Sequence, residues 1–210
     1  MIRLEKKYIL YSQLDRLRLI KFLYKKGFRN IYKDRINFSI YFDYRNLKFF
    51  HDSEEGLSYR TKLRLRKDKS NFKNDYSIFD FEIKKSNPNF KKKFSFKNNL
   101  IYKDSKTILE KKIYEMKIIS KKLIPILSTQ YVRSYFHSKK YGRVTIDQNL
   151  EYQSVNWKKF YESFKFHGRK KDKRIVIEHK IENKLFKDDL ITLVPSRFSK
   201  YCEGVKYLKI

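Results

Sequence analysis

The sequence predicts an α+β protein dominated by antiparallel strands, and three observations predict it. Apolar and polar residues alternate with period two at 60–66, 81–84, 91–97, 143–147 and 175–180, the mark of strands with one apolar and one polar face. Two segments, about 12–26 and 105–122, carry apolar residues at helical spacing instead. The polar strand faces are unusually cationic: Arg60, Lys62, Arg64 and Arg66 share one face, opposite Leu63 and Leu65.

In chain order, residues 2–9 read as a strand with Arg3, Glu5 and Lys7 opposite Ile2 and Leu4. A helix follows over about 12–26, with Ser12 and Asp15 as capping box, Leu14, Leu17, Ile20 and Leu23 as apolar stripe, and Gly27 at its stop. Strands are expected at about 37–43, 46–51, 57–67, 77–85 and 91–97. The second helix, with Ile108, Ile113, Met116 and Ile119, ends before Pro125. Further strands fall near 130–137, 142–148 and 174–182, while 156–173 has no clear pattern. A short helix around 184–193 and a polar turn, SRFSKY at 196–201, complete the reading.

Composition bounds the function. The 210 residues suffice for a substantial core, and with 40% hydrophobic and 17% aromatic residues the chain is no disordered basic tail. No apolar run reaches the roughly 18 to 20 residues of a membrane-spanning helix. The opening MIRLEKKYIL has no apolar h-region, which predicts no signal peptide. A lone cysteine, Cys202, excludes an internal disulfide and fits a reducing cytoplasm. Fifty-two Lys and Arg against 23 Asp and Glu give a formal charge of +29, a field that concentrates polyanions. Many of the lysines are solvated surface in a chain that contains no alanine. The placement of the arginines is therefore more informative than the total.

An open sheet with a wet outer face also alternates. Such faces mix Thr, Ser, Lys and Glu, however, whereas here like charges lie close along and across strands, which is unfavourable unless an anion sits among them. Glu5, Glu82 and Glu178 recur one per strand on the same polar faces. Basic groups with a few carboxylates suit a metal–phosphate complex, the carboxylates holding a hard cation and the cations holding phosphate oxygens. The pattern favours a closed polar tunnel over a solvated sheet.

Eight motifs then resemble one family. R-L-E-K-K-Y at 3–8, S-I-Y-F-D at 39–43, Y-R-T-K-L-R-L-R at 59–66, F-E-I-K at 81–84, Y-V-R at 131–133, R-V-T-I-D at 143–147, V-I-E-H-K at 176–180 and F-S-K-Y at 198–201 occur in the order of the VTC domain. This is the polyphosphate-polymerase domain of the triphosphate tunnel enzymes. The resemblance implies a single domain over 1–210, a closed eight-stranded antiparallel β-barrel with helices packed outside, and a tunnel that binds triphosphate and a divalent metal, Mn2+ or Mg2+. It implies transfer of the ATP γ-phosphate onto a growing polyphosphate chain, in the cytoplasm, beside a membrane-protein partner.

Carried over by position, Lys7, Arg64, Arg66, Lys84, Lys93, Arg133, Arg143, Lys180 and Lys200 match the basic phosphate ligands. Ser199 joins the phosphate-binding set, and Arg60 and Lys62 share the face of Arg64 and Arg66. Glu178 matches the metal-holding glutamate and Glu5 the acidic position of the first strand. Arg64, Arg66, Arg143 and Lys200 are expected to grip the transferring phosphoryl group. Two features depart from the pattern: Arg3 stands where the wider superfamily has a first glutamate, and the basic run 165–171 matches nothing.

Phosphoryl transfer needs charge neutralisation and in-line positioning more than covalent chemistry, so no nucleophilic triad is required. Arginine clamps phosphate oxygens bidentately, which favours the arginines over the scattered lysines. There is no G-x-x-x-x-G-K-[ST] loop, and His51, His137, His167 and His179 form no i, i+4 pair. Two alternatives stand beside the polymerase: an inorganic triphosphatase on the same fold, and a non-enzymatic RNA or polyanion binder. Tyr and Phe interleaved with cations suit stacking on single-stranded RNA, yet the glutamates would repel a phosphate backbone unless metal-bound, so no specific nucleic acid is expected.

Overall fold

The structure, a computed structural model, describes residues 4–69, 78–86, 91–99, 111, 123–156, 158, 169–181 and 191–210. In chain order the elements are β1 (Leu4–Leu10), α1 (Gln13–Lys25), β2 (Arg29–Asp43), α2 (Lys48–Glu54), β3 (Arg60–Lys69), β4 (Ile78–Ser86), β5 (Lys91–Asn99), β6 (Ile124–Ser138), β7 (Gly142–Ser154), β8 (Lys170–Asp172), β9 (Ile175–Ile181) and α3 (Lys200–Leu208). Strands hydrogen-bond in the order β1-β9-β7-β6-β2-β3-β4-β5, with β8 on β7. The pairs β1–β9, β7–β9, β3–β4 and β4–β5 are antiparallel. The α+β class and the antiparallel sheet with few helices are as expected. No pairing among the described residues joins β1 to β5.

The chain divides into two compact units. The first comprises 1–37, 130–151 and 171–199. Its core packs Tyr8 and Leu10 of β1, Leu19 and Leu23 of α1, Phe28, Phe136, Val144, Ile146, Ile175, Ile177 and Ile191. The start and stop of α1 follow the local signals. The Ser12 hydroxyl accepts from the backbone N–H of Leu14 and Asp15, at 3.1 and 3.4 Å. At the other end Phe28 N–H donates to Leu23 O and Gly27 N–H to Tyr24 O, both at 3.0 Å, with Gly27 at φ +79°. That is a Schellman stop, which needs a left-handed residue at the glycine. The buried stripe differs from the expectation. Leu19 and Leu23 face the core, whereas Leu14 and Leu17 are exposed. Steps of three residues drift around a helix that turns about 100° per residue, so Leu14 and Leu23 lie on opposite sides.

The second unit comprises 38–129, 152–170 and 200–210. Here β2 buries both faces: Phe38, Ile40 and Phe42 on one, Ser39, Tyr41 and Asp43 on the other. The strand expected at 46–51 is the helix α2. Asp43 causes the difference, because its carboxylate accepts from the N–H groups of Tyr44 (2.7 Å), Phe49 (2.9 Å) and Phe50 (3.0 Å) and so caps the first turn. Leu47, at φ 53°, makes the left-handed bend that aims those donors. The helix α3 was not expected either: the turn expected at 196–201 gives way to helix at Lys200, and α3 buries Tyr201, Cys202, Gly204 and Val205. Mid-helix Gly204 weakens the helical signal. Its missing side chain serves packing, since a Cβ there would lie 2.5 Å from Leu127 Cδ2 and 2.8 Å from Tyr152 Cδ1. The expected helix at 105–122 lies outside the described residues apart from Lys111, as does 184–190 of the short helix expected at 184–193; 191–193 are not helical.

Candidate phosphate-binding site

In the first unit, cross-strand register assembles a charged network from β1, β9, β7 and β6. Lys7 stands opposite Glu178 and Glu5 opposite Lys180. Across β9's other edge, Thr145 faces Glu178 and Arg143 faces Lys180. Lys180 Nζ lies 2.5 Å from Glu178 Oε1 and 3.8 Å from Glu5 Oε2, so one ammonium joins both carboxylates. Lys7 Nζ is 3.6 Å from Glu5 Oε1 and donates to the Phe198 carbonyl at 2.9 Å. Arg133 forks onto Asp147 through Nε and Nη2, at 2.5 and 2.7 Å, and its Nη2 lies 3.8 Å from Glu178 Oε2.

These charges set one another's protonation. Burial pushes the Glu178 carboxyl up, but Lys180, then Arg133 and Lys7, outweigh it and hold the group well below the usual carboxylate range. Burial pulls the Arg133 guanidinium down, and Asp147 more than reverses it. Glu178 is therefore ionised whenever the protein is folded at ordinary pH. Arg143 is different: its Nε is buried with no hydrogen-bond partner among the described residues, and so is the hydroxyl of Thr145 two residues on. A buried guanidinium nitrogen with an unmet donor is costly unless it finds an acceptor.

In the second unit the cations lie on β3 and its neighbours. Arg64 donates from Nε and Nη2 to Glu82 Oε2, at 2.9 and 2.6 Å, while Arg66 Nη1 lies 3.7 Å from Oε1 of the same carboxylate. Glu82, 1% exposed, thus holds two arginines whose side chains are only 14% and 17% exposed. Arg64 Nη1 also donates to the Tyr41 hydroxyl at 3.2 Å. Arg60 and Lys62 are half-buried on the same strand. Register lines Lys62, Lys84 and Lys93 across β3, β4 and β5 in one row. The side chains of Lys84 and Lys93 lie outside the described residues. Lys200, half-buried, opens α3; Ser199, also half-buried, is the last residue of the first unit.

Each unit by itself thus carries some of the expected residues, and Arg64, Arg66 and Arg133 are shielded rather than spread on a wet face. Sequence reasoning missed two partners. Asp147 was visible as a polar-face residue but not as the clamp for Arg133; its two-residue spacing from Thr145 was the only signal. Glu82 holds arginines, a role that the Arg64–Glu82 register makes plain only after the strands are paired. Among the described residues no three His, Cys, Asp or Glu side chains gather to hold a metal ion by themselves. Glu5 and Glu178 nonetheless present two hard oxygen donors to one cation position, now filled by Lys180 Nζ. That donor set fits a divalent metal that takes its remaining ligands from water and phosphate.

The VTC domain model matches residues 3–209. No curated protein matches the sequence. Among solved structures, a candidate adenylate cyclase from Bacillus halodurans superposes with a TM-score of 0.51 at 16% identity, covering 87% of this chain and 81% of that one. A protein from Pyrococcus horikoshii OT3 gives a TM-score of 0.43 at 14% identity, covering 86% and 80%. The first likeness concerns the fold alone.

Proposed function

The chain belongs to the VTC domain family, and on that premise we propose that it is a polyphosphate polymerase, transferring the γ-phosphate of ATP onto a growing polyphosphate chain. The observation that carries this reading is the row Lys62, Lys84 and Lys93 in register across three strands. Like charges directly opposite one another are destabilising, and a polymeric phosphate is the ligand that relieves a whole row at once.

In this reading Lys7, Arg60, Lys62, Lys84, Lys93, Arg133, Lys180 and Ser199 bind phosphate oxygens along the chain. Arg64, Arg66, Arg143 and Lys200 grip the transferring group. Arg64 and Arg66 start oriented, because Glu82 holds both, and so they meet the developing charge without reorganising. Arg143 brings a buried Nε with no hydrogen-bond partner among the described residues. Glu178 and Glu5 would hold Mn2+ or Mg2+, which when bound neutralises phosphate oxygens. Lys180, which contacts both carboxylates, would then be free to turn to phosphate. The proposal includes closure of the sheet into an eight-stranded barrel, action of 1–210 as one domain, a cytoplasmic site and a membrane-protein partner.

The test is incubation with ATP and Mn2+, followed by gel detection of long polyphosphate. Chains growing with time support the polymerase. Release of orthophosphate from tripolyphosphate without any polymer would make the protein a triphosphatase. Failure to bind tripolyphosphate, with tight binding of single-stranded RNA at physiological salt, would overturn both.

A further inference from the structure

We propose that Tyr41 is a further phosphate ligand, its phenolic proton donated to a phosphoryl oxygen beside Arg64; the inference rests on the triphosphate reading above. The geometry fixes the direction of that proton. Guanidinium nitrogens only donate, so the Tyr41 hydroxyl accepts from Arg64 Nη1 at 3.2 Å, and its own O–H must point elsewhere. No acceptor for it is found among the described residues. Tyr41 is 6% exposed, and a buried donor without an acceptor is costly. Arg64 Nη1 and the Tyr41 O–H therefore form adjoining donors, one charged and one neutral, fit for the oxygens of one phosphoryl group.

Two further observations support the role. The ring is held from behind: it stacks on Tyr201 with centroids 5.3 Å apart and planes 24° apart, and the Tyr201 hydroxyl donates to Asp43 at 2.6 Å. Asp43 is in turn satisfied by three backbone N–H groups. A phenol fixed in this way donates without losing rotamer freedom on binding. Ser39, two residues earlier on the same buried face of β2, also has a hydroxyl with no hydrogen-bond partner among the described residues. The polar face of β2 thus carries two hydroxyl protons, those of Ser39 and Tyr41, with no acceptor among the described residues.

The test is calorimetric titration of the full chain with tripolyphosphate, without metal. Tyr41→Phe keeps the ring and its stack but removes the donor, so Kd should rise about ten-fold or more while the melting temperature stays close to wild type. A second measurement does not depend on that variant: 3-fluorotyrosine placed at position 41 alone should show its 19F resonance move as tripolyphosphate saturates the protein. An unchanged Kd together with an unmoved resonance would overturn the assignment while leaving the triphosphate reading intact. If wild type itself does not bind tripolyphosphate, the triphosphate reading fails and this inference fails with it.

Discussion

Glu178 shows how much one side chain's charge depends on its neighbours. With Lys180, Arg133 and Lys7 around it, its folded pKa lies below the usual value near 4.5. A depressed carboxylate contributes stability above its unfolded pKa and loses it as pH falls toward the folded one. Denaturant midpoints measured from about pH 6 down to 3 should therefore fall less steeply for Glu178→Gln than for wild type. On the proposed reading the same variant should lose turnover by about 100-fold or more, because the charge that would hold the metal is gone while the shape remains. Near wild-type polymer synthesis by Glu178→Gln would falsify its assignment. Arg64 and Arg66 make a second case at this scale. Since both lean on Glu82, Arg64→Ala and Arg66→Ala should be non-additive by about 0.5–3 kcal/mol in tripolyphosphate binding, read by a double-mutant cycle. Strict additivity would mean that the shared carboxylate does not couple them.

At the scale of elements, most of the strands were legible in the sequence, though β8 and the starts of β2 and β6 were not, and neither were the helices α2 and α3. Alternation reports a strand's two environments directly, so Arg60, Leu63, Arg64, Leu65 and Arg66 declare their faces without knowledge of the partner strand. The helices α2 and α3 depend on a contact no window can see: Tyr201 reaches Asp43 across 158 residues. Without that partner, the Phe-Phe pair in α2 reads as a strand and Gly204 in α3 reads as a break. The candidate site divides likewise. Its cations could be listed from the polar faces, but which carboxylate serves which arginine required the register. Gly204 offers a test of α3 packing. Gly204→Ala should destabilise the protein by about 1–3 kcal/mol in chemical denaturation, because Leu127 and Tyr152 must shift to admit a methyl group. A stabilised variant, as helix propensity alone would give, would show the contact to be soft.

For the whole molecule, the formal charge of +29 makes electrostatics a global property. Tripolyphosphate should raise the melting temperature, because an anion bound by the folded state stabilises it by mass action and offsets repulsion among clustered cations. The shift should shrink as salt rises from about 0.05 to 0.5 M, as screening shortens. A shift insensitive to salt would argue for contacts of another kind. Removal of divalent metal with EDTA should stop polymer formation, and Mn2+ or Mg2+ should restore it. No helix among the described residues is long and apolar enough to cross a membrane.

Burial of both faces of β2, described above as packing, also constrains how the gene can change. From Phe38 to Asp43 the strand presents aromatic and aliphatic residues to one side and Ser39, Tyr41 and Asp43 to the other. Inserting or deleting one codon there would exchange the sides, placing Tyr41 and the carboxylate of Asp43 in oil and phenylalanines among the arginines. A point change alters one contact on one side; a change of length alters every contact on both sides. Descendants of this chain should accordingly keep the spacing from Phe38 to Asp43, while length variation accumulates in the connections.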